Sequence, residues 1–205
     1  MSKSKYGHRQ IDWFEDVIDK LGGEKNADAL LGGDLAVQLV GTKLLRRISD
    51  GASLFFSACD GSETIADAHD VFKFGIDSDF KMWGLSGPSK ATRKTPAEVY
   101  ELLKEATVDR MFTFLSPSDL GVLCVTQHQI KKFCKKYHDW ICAEGYETLF
   151  LTKKNWKAPA DFGNLFVVFV LAISDDLRVR THRVWFDRTW YADNHFRLVV
   201  PQLVV

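Results

Sequence analysis

The chain has 205 residues, 46% of them hydrophobic and 13% aromatic, which is enough to build a core without disulfides. Its four cysteines lack the regular spacing of a secreted disulfide framework, so we predict reduced thiols and a cytoplasmic location. The N-terminal residues contain no apolar segment of the signal-peptide kind. The longest apolar run has nine residues, about half of what a membrane-spanning helix needs, so we predict no membrane association.

The formal net charge of zero conceals an uneven distribution of charge. Residues 1–80 carry 9 basic and 14 acidic side chains, whereas residues 81–205 carry 18 and 13. Such asymmetry can direct a polyanionic partner to the C-terminal part of the chain. Alternatively, the opposite charges neutralise each other across an internal interface and never face a partner. Both interpretations stay open at this stage.

The first part of the chain predicts helices and short strands. Apolar residues recur at three- and four-residue spacing from Ile11 to Leu21, and two glycines follow, which predicts an amphipathic helix with a glycine stop. A second short helix is predicted to end at Leu31. Strands are predicted over residues 35–40 and 54–58, and a helix over residues 62–71.

The middle of the chain predicts a loop followed by helices. Residues 83–94 contain glycines and a proline without periodicity and favour a linker or surface loop. The sequence Thr95-Pro96-Ala97-Glu98 has the pattern of a capping box with proline at the first helical position, which predicts a helix start. Helical sequence continues to Leu115, and Thr126 is predicted to cap a helix over residues 127–143.

Beyond this helix the hydrophobic period changes from helical to extended. Four strands are predicted, over residues 148–152, 165–174, 177–186 and 196–203, with Asp175-Asp176 as a hairpin turn. We therefore predict an α+β fold with amphipathic helices in the first two-thirds of the chain and a C-terminal antiparallel sheet of about four strands. The predicted division is an acidic helical or mixed part, residues 1–84, and a basic part with the sheet, residues 95–205. A single domain is the alternative.

Three of the four cysteines lie close to two histidines. Cys124 and His128, and Cys134 and His138, are i,i+4 pairs, and Cys142 follows four residues later. On a helix such residues share a face, where thiolates and imidazoles could bind a tetrahedral zinc ion, with Cys134, His138 and Cys142 as the candidate ligands. The alternative is packed or partly exposed thiols, because CxxC-like knuckles are absent and cysteine is often simply buried.

The predicted helix over residues 127–143 is basic and amphipathic, with its lysines on one side and its apolar residues on the other. Positive charge and aromatic side chains continue into the C-terminal strands, in the combination that single-stranded nucleic-acid binding requires. The candidate nucleic-acid-binding residues are Lys131, Lys132, Lys135, Lys136, Arg178, Arg180 and Arg183. Further basic residues of the C-terminal region are interleaved with Trp156, Trp185, Trp190 and Tyr191, and these are Lys153, Lys154, Lys157, Arg188 and Arg197. The alternative is a solvated lysine face on a helix that covers an aromatic core.

Other patterns support no named activity. Residues 84–90 resemble a phosphate loop superficially, but they lack its glycine spacing, and Pro88 would remove a backbone donor, so a plain surface loop is favoured. Residues 120–136 lack the glycine turn of a helix-turn-helix motif. Carboxylates such as Asp77 and Asp79 are better explained by loop or cap chemistry than by a catalytic pair. We predict no catalytic residue.

The N-terminal residues resemble a group of uncharacterised bacterial proteins. The resemblance lies in Arg9-Gln10-Ile11-Asp12-Trp13, in Leu31-Gly32-Gly33-Asp34-Leu35 and in Leu44-Leu45-Arg46-Arg47-Ile48. A looser likeness covers Val184-Trp185 and Val200-Pro201-Gln202. This resemblance implies a bacterial intracellular protein and no particular activity, cofactor or catalytic residue.

These observations favour a non-enzymatic binding or adaptor protein with a protein partner, because aromatic content is high, charge is segregated and catalytic patterns are absent. The first alternative is a nucleic-acid-binding protein that uses the lysine-rich helix and the basic, aromatic C-terminal region. The second alternative is a metal-assisted hydrolase. We predict no cofactor, and the sequence leaves the oligomeric state open.

Overall fold

The computed structural model describes residues 44–49, 53–141, 147–161, 163–185 and 188–202, which belong to one compact unit, residues 43–205. The predicted helices up to Leu31 and the predicted strand over residues 35–40 lie outside the described residues. The division of the chain into residues 1–84 and 95–205 stays a prediction. None of the helices in the described ranges is long and apolar enough to cross a membrane.

The described residues are organised around a mixed β-sheet. The strands in chain order are β1 (Leu45–Arg47), β2 (Phe55–Phe56), β3 (Gly75–Ile76), β4 (Thr95–Leu102), β5 (Ala106–Thr107), β6 (Glu147–Lys153), β7 (Leu165–Ile173), β8 (Asp176–Arg183), β9 (Thr189–Trp190) and β10 (Phe196–Pro201). The main sheet has the order β1-β4-β10-β6-β7-β8-β3, with β2 also paired to β4. β5 and β9 form a separate ribbon. Pairing is parallel between β10 and β6 and between β3 and β8, and antiparallel elsewhere in the main sheet.

Short helices and turns connect these strands. They are a single helical turn (Asp79–Met82), helix α1 (Val108–Leu115), helix α2 (Gln127–Lys136) and 3-10 turns at Leu120–Leu123, His138–Trp140 and Ala192–Asn194. The predicted start of α2 is confirmed, because the side chains of Thr126 and Gln129 each accept a hydrogen bond from the other residue's backbone N–H. The helix ends at Lys136, earlier than predicted.

The sheet buries both of its faces. On one face Phe133 of α2 packs against the rings of Phe56 and Phe150. On the other face α1 packs against the core that contains Phe169 and Trp190. Successive residues of β7 alternate between the two cores. A strand buried on both faces has a continuous apolar sequence, which explains the nine-residue run seen in the chain.

The predicted fold class is wrong. The main sheet has eight strands rather than about four, combines parallel and antiparallel pairs, and draws β1 to β4 from the part of the chain predicted to be mainly helical. β2 falls within the strand predicted over residues 54–58, whereas β1 and β3 have only three and two residues and are too short for a two-residue period to reveal them. The four C-terminal strands are confirmed as β6, β7, β8 and β10, and the hairpin turn lies at Ser174 and Asp175, both with positive φ.

The largest local error concerns β4. The pattern Thr95-Pro96-Ala97-Glu98 predicts a helix start, but these residues begin a strand. β4 pairs with β10 along one edge and with β1 and β2 along the other, and Ala97, Val99 and Leu102 are buried. Strand pairing and burial therefore outweigh the local capping signal. Residues 62–71, also predicted to be helical, form turns instead.

Candidate functional site

The lysines of α2 are partly neutralised by an acidic segment, residues 60–70. Lys131 is largely buried, and its Nζ lies 2.7 Å from a carboxylate oxygen of Glu63 and 2.9 Å from one of Asp70. Lys135 lies 3.5 Å from the other oxygen of Asp70. Hydrogen bonding from Lys131 lowers the pKa of both carboxyl groups below their ordinary values. Part of the positive charge of α2 is thus compensated inside the fold, as the interpretation of internal neutralisation predicts.

The same acidic segment encloses His128. Its Nδ1 lies 3.1 Å from a carboxylate oxygen of Asp60, and its Nε2 lies 2.9 Å from one of Glu63, although neither contact is aligned as a hydrogen bond. Of the remaining α2 lysines, Lys132 lies 3.4 Å from a backbone carbonyl oxygen, and Lys136 lies 4.9 Å from the centre of a tyrosine ring. Neither forms an ion pair within the described ranges.

The candidate arginines lie on β8, and two of them face away from α2. Arg178 and Arg180 occupy register positions on the same face as Phe169, which belongs to the core on the α1 side. Arg180 also forms an ion pair with Glu147. Arg183 is exposed at the end of β8. The structure therefore does not bring Arg178 and Arg180 onto one surface with the α2 lysines, and the role of the three arginines in nucleic-acid binding stays a prediction.

The candidate zinc ligands are in contrasting environments. Cys134 is fully buried in the core, and burial raises the pKa of its thiol far above the ordinary value, which opposes the thiolate that zinc requires. His138 is exposed, and Cys142 lies outside the described residues. Burial likewise raises the pKa of Cys124 to about 12. Among the residues that the structure describes, no three His, Cys, Asp or Glu side chains are arranged to hold a metal ion.

Two loops that are distant in sequence lie side by side. The first, residues 88–94, precedes β4 and is anchored to residues 59–61 by paired backbone hydrogen bonds between Cys59 and Thr92 and by the bond from Ser89 N–H to the Gly61 carbonyl. Gly61 has a φ of +83°, and a Cβ there would collide with the carbonyl oxygens of this loop. Only glycine therefore fits this close approach.

The second loop, residues 153–157, follows β6 and is held by the buried side chain of Asn164. Its Oδ1 accepts a hydrogen bond of 2.6 Å from Asn155 N–H, and its Nδ2 donates to the carbonyls of Asn155 and Pro159 at 2.8 and 2.7 Å. The Asn155 side chain in turn accepts a bond from Lys157 N–H. Both loops are thus fixed by hydrogen bonds to neighbouring backbone.

Two adjoining cavities open where these loops meet. The smaller, of about 350 Å³, has Thr92, Arg93, Cys124 and Gln129 in its wall. The larger, of about 500 Å³, has Ser89, Lys154 and Lys157 in its wall. Lys90 and Trp156 line both. We call these two cavities and the side chains that line them the Trp156 groove.

The Trp156 groove is strongly basic. Its lining contains four cations, and two more flank it: Lys90, Arg93, Lys154 and Lys157 in the walls, and Lys94 and Lys153 beside them. None of the six forms an ion pair with any described residue. Asp119 lies near the smaller cavity, but its carboxylate accepts a hydrogen bond from Gly121 N–H at 2.7 Å.

A half-buried tryptophan stands at the centre of this charge. The Nζ atoms of Lys90 and Lys153 lie 4.9 and 5.9 Å from the Trp156 ring centre, within the range of cation–π attraction. Because the ring forms part of the wall of both cavities, it offers a stacking surface surrounded by cations. Such an arrangement can bind a ligand that combines negative charge with a flat ring.

Only part of the Trp156 groove is visible in the sequence, and none of its residues is among the candidate nucleic-acid-binding residues. The pattern of Lys153, Lys154, Trp156 and Lys157 is visible as basic residues around an aromatic one. The contribution of the first loop was missed, because residues 83–94 have the composition of a plain surface loop. The closely spaced cations of residues 90–94, KATRK, were the available signal.

Comparison of the chain with protein-family models, with curated proteins and with solved structures found no match.

Proposed function

We propose that this protein binds a single-stranded nucleic acid along the Trp156 groove. The observation that carries the proposal is the convergence on one half-buried tryptophan, from two separately anchored loops, of cations that form no ion pair with a described residue. This proposal takes up the first alternative from the sequence, a nucleic-acid-binding protein, in place of the favoured adaptor with a protein partner. It moves the nucleic-acid interface from α2 to the loops on either side of Trp156.

Charge supports a polyanionic ligand. Cations that lack a protein partner can neutralise phosphates and release their condensed counterions, which is the main source of nonspecific affinity for nucleic acids. The α2 lysines are less suited to this role, since Lys131 and Lys135 already have carboxylate partners.

The tryptophan supports a single strand rather than a duplex. A base can stack on an aromatic side chain only when its own face is free, and single strands offer free faces at little cost. The two cavities, of about 350 and 500 Å³, lie within the size range of pockets that hold small ligands or parts of larger ones. Consecutive nucleotides could therefore occupy them on either side of Trp156.

The first test is charge reversal in the groove. Binding of a labelled single-stranded oligonucleotide to the wild type should fall with salt at a slope of about −3 in a plot of log K against log salt, because four cations contribute about 0.7 each. The double variant Lys90→Glu/Lys154→Glu should bind roughly tenfold more weakly or worse, with a shallower slope.

The matched control is Lys132→Glu/Lys136→Glu, which makes the same change of charge on α2. We expect it to retain wild-type affinity within about twofold, because neither lysine lines the groove and salt screens charges that do not contact the ligand. Equal losses in the two double variants would argue against the groove, and absence of wild-type binding at low salt would refute the proposed function.

A further inference from the structure

The wall of the smaller cavity of the Trp156 groove contains a glutamine whose amide donors have no partner among the described residues. Gln129 lies in the wall of this cavity and is only 4% exposed. Its Oε1 accepts hydrogen bonds from the backbone N–H and the hydroxyl of Thr126, at 3.1 and 3.3 Å. Its Nε2 donates to no described residue. Because Gln129 lines the cavity, an amide nitrogen without a protein acceptor is available there to donate to water or to a ligand.

The capping box fixes the orientation of this amide. The Thr126 N–H requires an acceptor, so the oxygen of the Gln129 side chain must face it and the nitrogen must face away. The side-chain oxygen of Gln129 therefore caps the start of α2, and its nitrogen presents two N–H donors on the other side. Because the first turn of α2 is held by this pair of bonds, the donors have a defined position.

The cavity supplies every contact that one nucleotide needs. Trp156 offers a ring face for stacking, Lys90 and Arg93 offer cations for phosphates, and Gln129 offers donors for the edge of a base. A volume of about 350 Å³ is within the range of pockets that bind small molecules. Thr92 and Thr95 complete the polar part of the wall.

We propose that this cavity holds one base of the bound strand and selects bases with a keto oxygen at position 6 of a purine or position 4 of a pyrimidine, namely guanine, uracil or thymine, over adenine and cytosine, which carry an amino group there, through the Nε2 of Gln129. The inference rests on the proposed function and specifies which ligand the groove prefers. An amide nitrogen can only donate, so it pairs with a keto oxygen and is opposed by the amino group of adenine. A site built to hydrogen-bond one group discriminates against an analogue that lacks it.

The test is the substitution Gln129→Glu. Glutamate at this position preserves the capping box, because its carboxylate also accepts the Thr126 N–H bond, while the donors are replaced by an acceptor. Affinities of labelled oligo(U) and oligo(A), each about eight nucleotides long, would be measured for the wild type and the variant. We expect the ratio of the oligo(U) affinity to the oligo(A) affinity to fall about three- to tenfold in the variant.

A second measurement uses the wild type alone and so does not depend on the folding of a variant. Inosine differs from adenosine in carrying a keto oxygen where adenosine carries an amino group. Oligo(A) strands with inosine replacements should therefore bind about three- to tenfold more tightly than oligo(A) itself. The double variant Lys90→Glu/Lys154→Glu should weaken binding of all strands without changing these ratios.

The outcomes separate the two proposals. Equal binding of inosine and adenosine strands, or an unchanged ratio in Gln129→Glu, would overturn the base-selective cavity and leave nucleic-acid binding intact. Absence of binding to any strand would overturn both. A ratio that shifts as described, with salt-dependent binding retained, supports both.

Discussion

Lys131 contacts two carboxylates on residues that lie far from it in the sequence. Its Nζ is within 2.9 Å of both Glu63 and Asp70, and its side chain is only 16% exposed. Hydrogen bonding from Lys131 is the main cause of the lowered pKa of each carboxyl group. The residue thus attaches the acidic segment, residues 60–70, to α2, and its charge serves the fold rather than a ligand.

Replacing Lys131 by methionine should make the free energy of unfolding depend less on pH in the acid range. Because folding lowers the pKa of Glu63 and Asp70, their stabilising contribution is complete above the ordinary carboxyl pKa of about 4 and is lost as pH falls through the lowered values. In Lys131→Met the free energy of unfolding should fall less between about pH 6 and about pH 3. At neutral pH the variant should be less stable by about 1 kcal/mol.

Urea unfolding at a series of pH values measures this effect. Lys135→Met is the control, because its side chain is 69% exposed and its distance from Asp70 is longer, 3.5 Å. If the free energies of unfolding of the wild type and of Lys131→Met change by the same amount with pH, Lys131 does not perturb these carboxyl groups.

At the scale of elements, the loop over residues 153–157 owes its shape to one side chain from the start of β7. Asn164 uses both atoms of its amide to bond the backbone at Asn155 and Pro159. Since Trp156 and Lys157 lie between these anchor points, the amide positions half of the Trp156 groove. A buried asparagine outside the groove is therefore expected to influence binding.

Asn164→Leu should destabilise the protein by about 1–3 kcal/mol, because backbone groups that it satisfies lose their partners. It should also weaken oligonucleotide binding, since the loop no longer holds Trp156 in place. Asn164→Asp should have a smaller effect, because it keeps the acceptor for Asn155 N–H and loses only the donors. Chemical unfolding and binding would be measured for both, and wild-type affinity in Asn164→Leu would show that the loop keeps its shape without the amide.

The sequence predicts an element when its conformation is determined by residues that lie close together in the chain. The start of α2 was predicted, because its capping box involves two residues three positions apart. The extended strands β6, β7, β8 and β10 were predicted from their own composition. β4 was not, because its conformation is imposed by neighbours such as β1 and β10, whose pairing no local pattern reports.

The candidate site follows the same rule at the scale of the whole molecule. Trp156 and the lysines beside it form a visible pattern, but Lys90 and Arg93 join them only because residues 59–61 hold the first loop in position. The α2 lysines and the β8 arginines form equally visible patterns, yet the sheet separates Arg178 and Arg180 from α2. Charge patterns in a sequence therefore identify candidate residues, and the topology decides which of them meet.

The position of β10 in the sheet has a consequence for the order of folding. β10 lies between β4 and β6, and its register with β4 pairs Val199 with Val99, residues that are distant in sequence. β6, β7 and β8 are joined by consecutive antiparallel pairings and can assemble by closing short loops. Pairing of β10 with β4 closes a much longer loop and therefore costs more conformational entropy.

We therefore expect the β6–β7–β8 meander to form first and β10 to join it to β4 late. Until then, the edges of β4 and β6 expose unpaired backbone groups that can recruit other chains. Pulsed hydrogen exchange during refolding would test this order: amides of β7 and β8 should gain protection before those of β4 and β10. Simultaneous protection of all strands would show a single cooperative step. The late closure makes slow, dilute refolding the condition under which the chain should best escape aggregation.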